Sequence, residues 1–187
     1  MTLQDLKSRL PEYAKDTKLN LGKTINGDAL EGLNANQTYG IALASAYATK
    51  NADIISAITA EVSSTLSDAE VEAAKAAATI MGMNNVYYRF AHLVSDKGYM
   101  SMPANLRMNV IGNPGIDKVG FELMSLAVSA INGCGMCMDA HVAEVIKGGI
   151  SKQGVQTSIR IASVLMAAAQ ALTIEDTQSA VSAQQAA

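Results

Sequence analysis

The run Asn132-Gly133-Cys134-Gly135-Met136-Cys137-Met138-Asp139-Ala140-His141 decides the fold. It holds both cysteines of the chain and one of its two histidines. A Cys-x-x-Cys pair of a thioredoxin-like domain needs strands around it, and none are visible here. Helical periodicity dominates on both sides instead. On a helix Cys134, Cys137 and His141 stand at i, i+3 and i+7 and share one face. Asn132-Gly133 is a good helix break, so the cysteines open a helix. There the macrodipole and the free N–H groups favour an anion.

Outward from the motif the same periodicity predicts helices near 118–131, 134–147 and 151–172, with Ser151 as N-cap of the last. Upstream, helices are expected near 36–50, 52–64 and 68–91. The third opens on the capping-box spacing Ser67-Asp68-Ala69-Glu70. Leu3, Leu6 and Leu10 mark a short first helix stopped before Pro11. A second carries Tyr13, Leu19 and Leu21 towards Ile25, followed by a loop containing Gly22, Asn26, Gly27, Asp28 and Gly32. Residues 95–118 read as a connector with one short helix around Asn105 to Ile111.

The reading is therefore an all-α single domain over 1–174, with 175–187 a polar, frayed and flexible tail. Within it, 36–92 and 118–172 run parallel in pattern as two internally repeated helical halves. Under the best register Cys134, Cys137 and His141 face Ala52, Ile55 and Thr59. The first half is then redox-inactive scaffold and the second carries the chemistry.

Composition agrees: 49% hydrophobic and 17% charged residues, with three prolines, favour a packed helical protein over a disordered one. A net charge of −3 without a dense Lys/Arg patch speaks against nucleic-acid binding. The N-terminus does not read as a secretory signal. The apolar stretch Ile159 to Leu172 is interrupted by Arg160, Ser163 and Gln170, so no membrane span is expected. These features point to a cytoplasmic protein, where a CxxC pair is catalytic or metal-binding more often than a structural staple.

A free thiol is only about 3% thiolate at pH 7. Making it mostly thiolate takes about 2.7 kcal/mol of differential stabilisation. A helix N-terminus and His141 are the available sources. His141 lies at i+4 from Cys137 but i+7 from Cys134, so local geometry makes Cys137 the nucleophile and Cys134 its partner. A zinc site lacks ligands, since the other histidine is His92 and there is no second CxxC. Covalent haem attachment wants histidine where Met138 stands. Two buried thiols beside a satisfied core histidine remain the inert alternative. His92, on an apolar-faced helix, is expected in a core or surface role. An acting base needs an orienting carboxylate. Glu144, at i+3 from His141, and Glu122 both qualify. Glu122 begins a polar stripe with Ser125 and Ser129 that spacing alone reads as a solvated face.

With these residues in view, the chain resembles the alkylhydroperoxidase D family of the carboxymuconolactone decarboxylase-like superfamily. The matching motif is Glu122, eleven residues, then Cys134-x-x-Cys137-x-x-x-His141. Leu10-Pro11-Glu12-Tyr13-Ala14-Lys15-Asp16, Met81-Gly82-Met83-Asn84-Asn85-Val86, Leu106-Arg107-Met108-Asn109 and Asn113-Pro114-Gly115-Ile116 extend the likeness over nearly the whole chain. The resemblance implies an all-helical, antioxidant thiol peroxidase without a bound cofactor. Cys137 would attack the peroxide and become sulfenic acid. Cys134 would donate a proton and resolve it as the Cys134–Cys137 disulfide, with His141 as general base and Glu122 in the relay. Dihydrolipoyl groups of a lipoyl-bearing dehydrogenase-complex protein would supply electrons, a peroxiredoxin would be the redox partner, and the assembly would be a homotrimer. An adaptor that only exchanges disulfides between the lipoyl protein and the peroxiredoxin is the alternative. Gly135-Met136 departs from members with Ser-His inside the motif, which puts peroxidase strength in doubt more than disulfide exchange.

Overall fold

The computed structural model describes residues 1–25 and 29–185. The described residues form ten α-helices and a 3-10 turn, without a strand. In order they are α1 (Leu3–Arg9), the 3-10 turn Glu12–Ala14, α2 (Lys15–Thr24), α3 (Ala35–Thr49), α4 (Ala52–Val62) and α5 (Asp68–Leu93). The second part comprises α6 (Gly98–Ser101), α7 (Asn109–Gly112), α8 (Lys118–Ile131), α9 (Gly135–Lys147) and α10 (Lys152–Gln185). The fold is all-α, as the periodicity requires.

Helix starts are written into local chemistry. Reciprocal capping boxes open α1 (Thr2 with Asp5), α3 (Asn34 with Gln37) and α5 (Ser67 with Glu70). Each cap satisfies amide groups that the helix cannot, which stabilises by about 1 kcal/mol. Ser151 Oγ accepts from Gly154 N at 3.1 Å and opens α10 as expected.

Helices α3 and α8 form the centre and pack on each other. Every residue from Thr38 to Ala46 and from Phe121 to Ser129 is buried. Gly40 lets them approach: a Cβ there would collide with the Met124 methyl. Helices α5 and α10 flank this pair, and α9 packs on α8 and α5.

The helix N-caps recur at like spacing in the two segments that the sequence pattern aligns. They pair Asn34 with Asp117, Asn51 with Cys134, and Ser67 with Ser151. Aligned on their caps, the two segments differ by one residue from the alignment by sequence pattern in the first part. Cys134 stands opposite Asn51 rather than Ala52, Cys137 opposite Ile54 rather than Ile55, and His141 opposite Ile58 rather than Thr59. Ile54 and Ile58 are fully buried. Where the first half places apolar side chains in the core, the second places a thiol and an imidazole.

Several boundaries differ from expectation. Gly22 lies inside α2, while Asn26, Gly27 and Asp28 lie outside the described residues. Tyr13 and Leu19 are exposed, and Leu21 alone of that trio is buried. The connector carries two one-turn helices; the second starts at Asn109, and Asn105, its expected start, lies in the left-handed region at φ 52°. The last helix continues to Gln185, through most of the segment read as a frayed tail. Its extension is held by Arg9, which bridges Asp53 at 2.6 Å and Asp176 at 2.7 Å, and by Tyr13 Oη donating to Glu175 at 3.0 Å. Neither partner is near 175 in sequence. By length and composition α10 is also apolar enough to cross a membrane, despite Arg160, Ser163 and Gln170, but half of its apolar window is buried inside the protein. Ile161, Leu165, Ala168 and Leu172 line that buried side, as in a core helix.

Candidate redox site

The motif sits at the junction of α8 and α9. The chain leaves α8 through Asn132 and Gly133, whose φ of 68° falls in the left-handed region. A Cβ would be strained there whatever the surrounding space. A hydrogen-bonded chain pins this corner. Asn85 on α5 donates to Ser129 Oγ at 2.9 Å and accepts from Asn132 Nδ2 at 2.9 Å. Arg89 holds the Asn132 carbonyl at 2.6 Å, and Cys134 N donates to Ser129 O at 3.1 Å.

Cys134 is the N-cap of α9 and is disulfide-bonded to Cys137, with a Cα–Cα distance of 5.3 Å. The Cys137 amide donates to Cys134 Sγ at 3.3 Å. The two sulfurs are therefore placed unequally. Cys134 is wholly buried, with its sulfur facing the helix N-terminus, whereas Cys137 is 7% exposed and opens onto a cavity. The helix-end field acts on Cys134, and access belongs to Cys137.

His141 follows one turn after Cys137 and lines the same cavity. Its Nδ1 is 2.6 Å from Glu122 Oε2, and its Nε2 is 3.3 Å from Met81 Sδ. A carboxylate only accepts, so Nδ1 carries the proton of that bond and Nε2 is the nitrogen left to act as a base. Glu122 and His141 are buried, so the pair is shielded from solvent screening. Glu144 instead bridges Lys118 at 3.3 Å on the surface. The structure thus selects Glu122 as the carboxylate on His141. The stripe Glu122, Ser125 and Ser129 is buried, not solvated: it faces α9 and α5, where His141 and Asn85 meet its two ends. Glu122 also borders an outer cleft lined by Lys118, Glu144 and Lys147. His92 is exposed and lies outside the cavity.

The cavity beside Cys137 has a volume of about 270 Å³. Helix α5 supplies Met81, Asn84 and Tyr88 to its wall. Met108, Ile111 and Met136 add apolar surface on the other sides. The resemblance covered Met81, Asn84 and Met108 without giving them a role. Nothing in their spacing places α5 and the connector against α9. Among the described residues no group of three or more His, Cys, Asp or Glu is arranged to hold a metal ion.

A helical domain carrying a CxxC disulfide beside a buried Glu–His pair is, by class, a thiol–disulfide protein, and residues 97–175 match the carboxymuconolactone decarboxylase family. The likeness to individual proteins runs further along the chain. It is 52% identical to the alkyl hydroperoxide reductase AhpD of Brucella canis over 178 residues, 95% of this chain and all of that protein. To the AhpD of Coxiella burnetii it is 54% identical over 174 residues, 93% of this chain and 98% of that one. The chain belongs to the AhpD alkyl hydroperoxide reductase family.

Proposed function

We infer that this protein is an antioxidant oxidoreductase that reduces alkyl hydroperoxides through Cys134 and Cys137, with dihydrolipoyl groups as electron donor. The observation that carries the reading is the unequal placement of the two sulfurs. Cys137 faces the cavity beside a histidine held by Glu122, and Cys134 lies buried at the helix N-terminus.

In the oxidative half, His141 Nε2 takes the Cys137 proton and Glu122 steadies the resulting imidazolium. The thiolate attacks the outer peroxide oxygen, giving Cys137 sulfenic acid and an alkoxide that takes the Cys134 proton. The Cys134 thiolate then attacks the Cys137 sulfenic sulfur, the hydroxyl leaves as water with the proton returned by His141, and the disulfide closes.

In the reductive half, a dihydrolipoyl thiolate attacks Cys137, the accessible sulfur. Cys134 leaves as a thiolate, which the Cys137 amide and the end of α9 stabilise. The second lipoyl thiol resolves the mixed disulfide and departs as lipoyl disulfide. Passing electrons to a partner peroxiredoxin uses the same exchange at Cys137, and the family name supports that partnership.

A homotrimer belongs to the same proposal. The exposed apolar residues Val86, Phe90 and Leu93 along α5 offer a surface for association between copies. The competing adaptor reading rests on Met136, an apolar residue in the cavity wall beside Cys137.

Mass measurement tests the cycle. Reduced protein should lose about 2 Da on treatment with an alkyl hydroperoxide and regain it with dihydrolipoamide. Peroxide consumption no faster than background unless a peroxiredoxin is added would favour the adaptor. Full hydroperoxide turnover by a Cys137→Ser variant would sink both.

A further inference from the structure

The side chain of Asn84 has no role in the chemistry above. It is 4% exposed, lines the cavity with Cys137 and His141, and its Oδ1 is enclosed without a hydrogen-bond partner among the described residues. Its neighbour Asn85 is fully engaged with Ser129 and Asn132. Buried carboxamides are hydrogen-bonded as a rule; here Oδ1, an acceptor, is sealed off, and the amide N–H2, which also makes no hydrogen bond among the described residues, is the end of the group left to donate to a ligand in the cavity.

The remaining wall limits what that ligand can be. Met81, Met108, Met136 and Ile111 are apolar, and the methionines are adaptable in shape. Tyr88 is the other polar group on α5 there, and its hydroxyl is turned to Met108 Sδ at 3.9 Å. A ligand with one small polar end and an alkyl body fits this wall.

We propose that Asn84 binds the peroxide group of an alkyl hydroperoxide, its amide N–H donating to the oxygen that becomes the alkoxide, while the methionine wall holds the alkyl chain. The proposal rests on the peroxidase reading of the site. As Cys137 sulfur bonds to the outer oxygen, the O–O bond breaks and its electron pair moves to the inner oxygen. Sulfur is oxidised to sulfenic acid, and the alkoxide, after taking the Cys134 proton, leaves as the alcohol. Negative charge grows on the inner oxygen only as the reaction proceeds. A donor placed there acts on the transition state more than on the bound peroxide. The reductive half develops charge on sulfur instead and has no use for this donor.

The test compares the two half-reactions in Asn84→Leu, with Asn84→Ala as a smaller variant should leucine fail to fold. Reduced protein is mixed rapidly with cumene hydroperoxide or hydrogen peroxide, and oxidised protein with dihydrolipoamide. Thiol alkylation against pH and thermal unfolding are recorded alongside. The variant should oxidise roughly 30-fold more slowly with cumene hydroperoxide. Its reduction by dihydrolipoamide should stay within about twofold of wild type. The alkylation profile should not move, and the melting temperature should hold or rise as an unpartnered buried acceptor is removed. Hydrogen peroxide, without an alkyl body, should be the poorer substrate in both proteins.

Wild-type oxidation rates in the variants would overturn the proposal. So would equal slowing of both half-reactions with a shifted alkylation profile, the mark of a merely structural residue. Wild-type protein that oxidises no faster than a free thiol would overturn the peroxidase reading, and this proposal with it.

Discussion

Glu122 on α8 accepts a 2.6 Å hydrogen bond from Nδ1 of His141 on α9, and both side chains are buried. The bond spans two helices whose register is set by the Asn132-Gly133 corner. It orients the imidazole so that Nε2 points to Met81 Sδ, 3.3 Å away, a residue of the wall that Cys137 also lines. A charge-assisted bond away from water is strong, and losing one partner leaves the other stranded.

Glu122→Gln therefore replaces an acceptor-only carboxylate with a neutral amide that can also donate to Nδ1, so neither the tautomer nor the imidazolium is held. Reaction of Cys137 with peroxide is expected to slow by about 100-fold. Glu144→Gln, which loses a surface contact to Lys118, should stay within about twofold. Single-turnover oxidation of the reduced variants checks both, and the opposite order would refute the assignment of the relay.

The two cysteines should separate cleanly. Cys137→Ser is expected to abolish peroxide reduction. Cys134→Ser should complete one turnover and hold Cys137 as sulfenic acid, a gain of about 16 Da, because no resolving thiol remains. Intact-mass spectra after one equivalent of peroxide distinguish them. A sulfenic acid on Cys134 in the Cys137→Ser protein would reverse the roles.

Asn85 connects α5 to the corner that carries the motif. Asn85→Ala deletes both its bonds and leaves Ser129 and Asn132 without those partners, a loss of about 1–3 kcal/mol. Chemical denaturation measures the loss. Peroxide turnover should fall too, since the corner positions Cys134. An unchanged denaturation midpoint would mean that the corner is held by the backbone alone.

Gly32 has a φ of 82° and lies against α10, where a Cβ would meet the backbone of Gly154. Gly32→Ala is strained by conformation and by collision at once and should cost at least about 1–2 kcal/mol. Gly135→Ala is the control, since a Cβ there meets nothing. Thermal melts of the two variants should differ in that order.

Glu70 closes the capping box of α5. Burial pushes its carboxyl up, but hydrogen bonds from Asn36 and Ser67 outweigh this and hold it below the usual glutamate range. A group depressed in the folded state stabilises fully above its unfolded pKa and loses that contribution as pH falls through its lower folded value. Glu70→Gln should lower stability near neutrality and flatten its decline over that acid interval. Denaturation midpoints across the range check the sign, and a parallel offset at every pH would show that ionisation plays no part.

Much of this architecture was legible along the chain. Capping pairs, turn residues and helical periodicity act over three or four residues, so α3, α4, α5, α8 and α9 fall within about two residues of expectation. What failed depended on distant partners. The extension of α10 is tied to Arg9 and Tyr13 at the other end of the chain. Alanine-rich helices align in several ways, so a pattern alignment and an alignment on the N-caps Asn51 and Cys134 differ by one residue. The buried polar stripe from Glu122 to Ser129 reads as a surface until α5 and α9 are known to cover it.

The sequence by itself determined the helical class, the helix-opening CxxC pair and the i+4 histidine, since each follows from short-range geometry. Family resemblance could name Glu122 but not show what it touches. Tertiary structure alone set Glu122 against His141 and Glu144 against Lys118, buried Cys134 behind accessible Cys137, and left Asn84 Oδ1 without a partner in the cavity wall. Those choices rest on which helices approach one another. Helix packing is set by the sum of many weak apolar contacts far apart in the chain, and no local pattern encodes that sum.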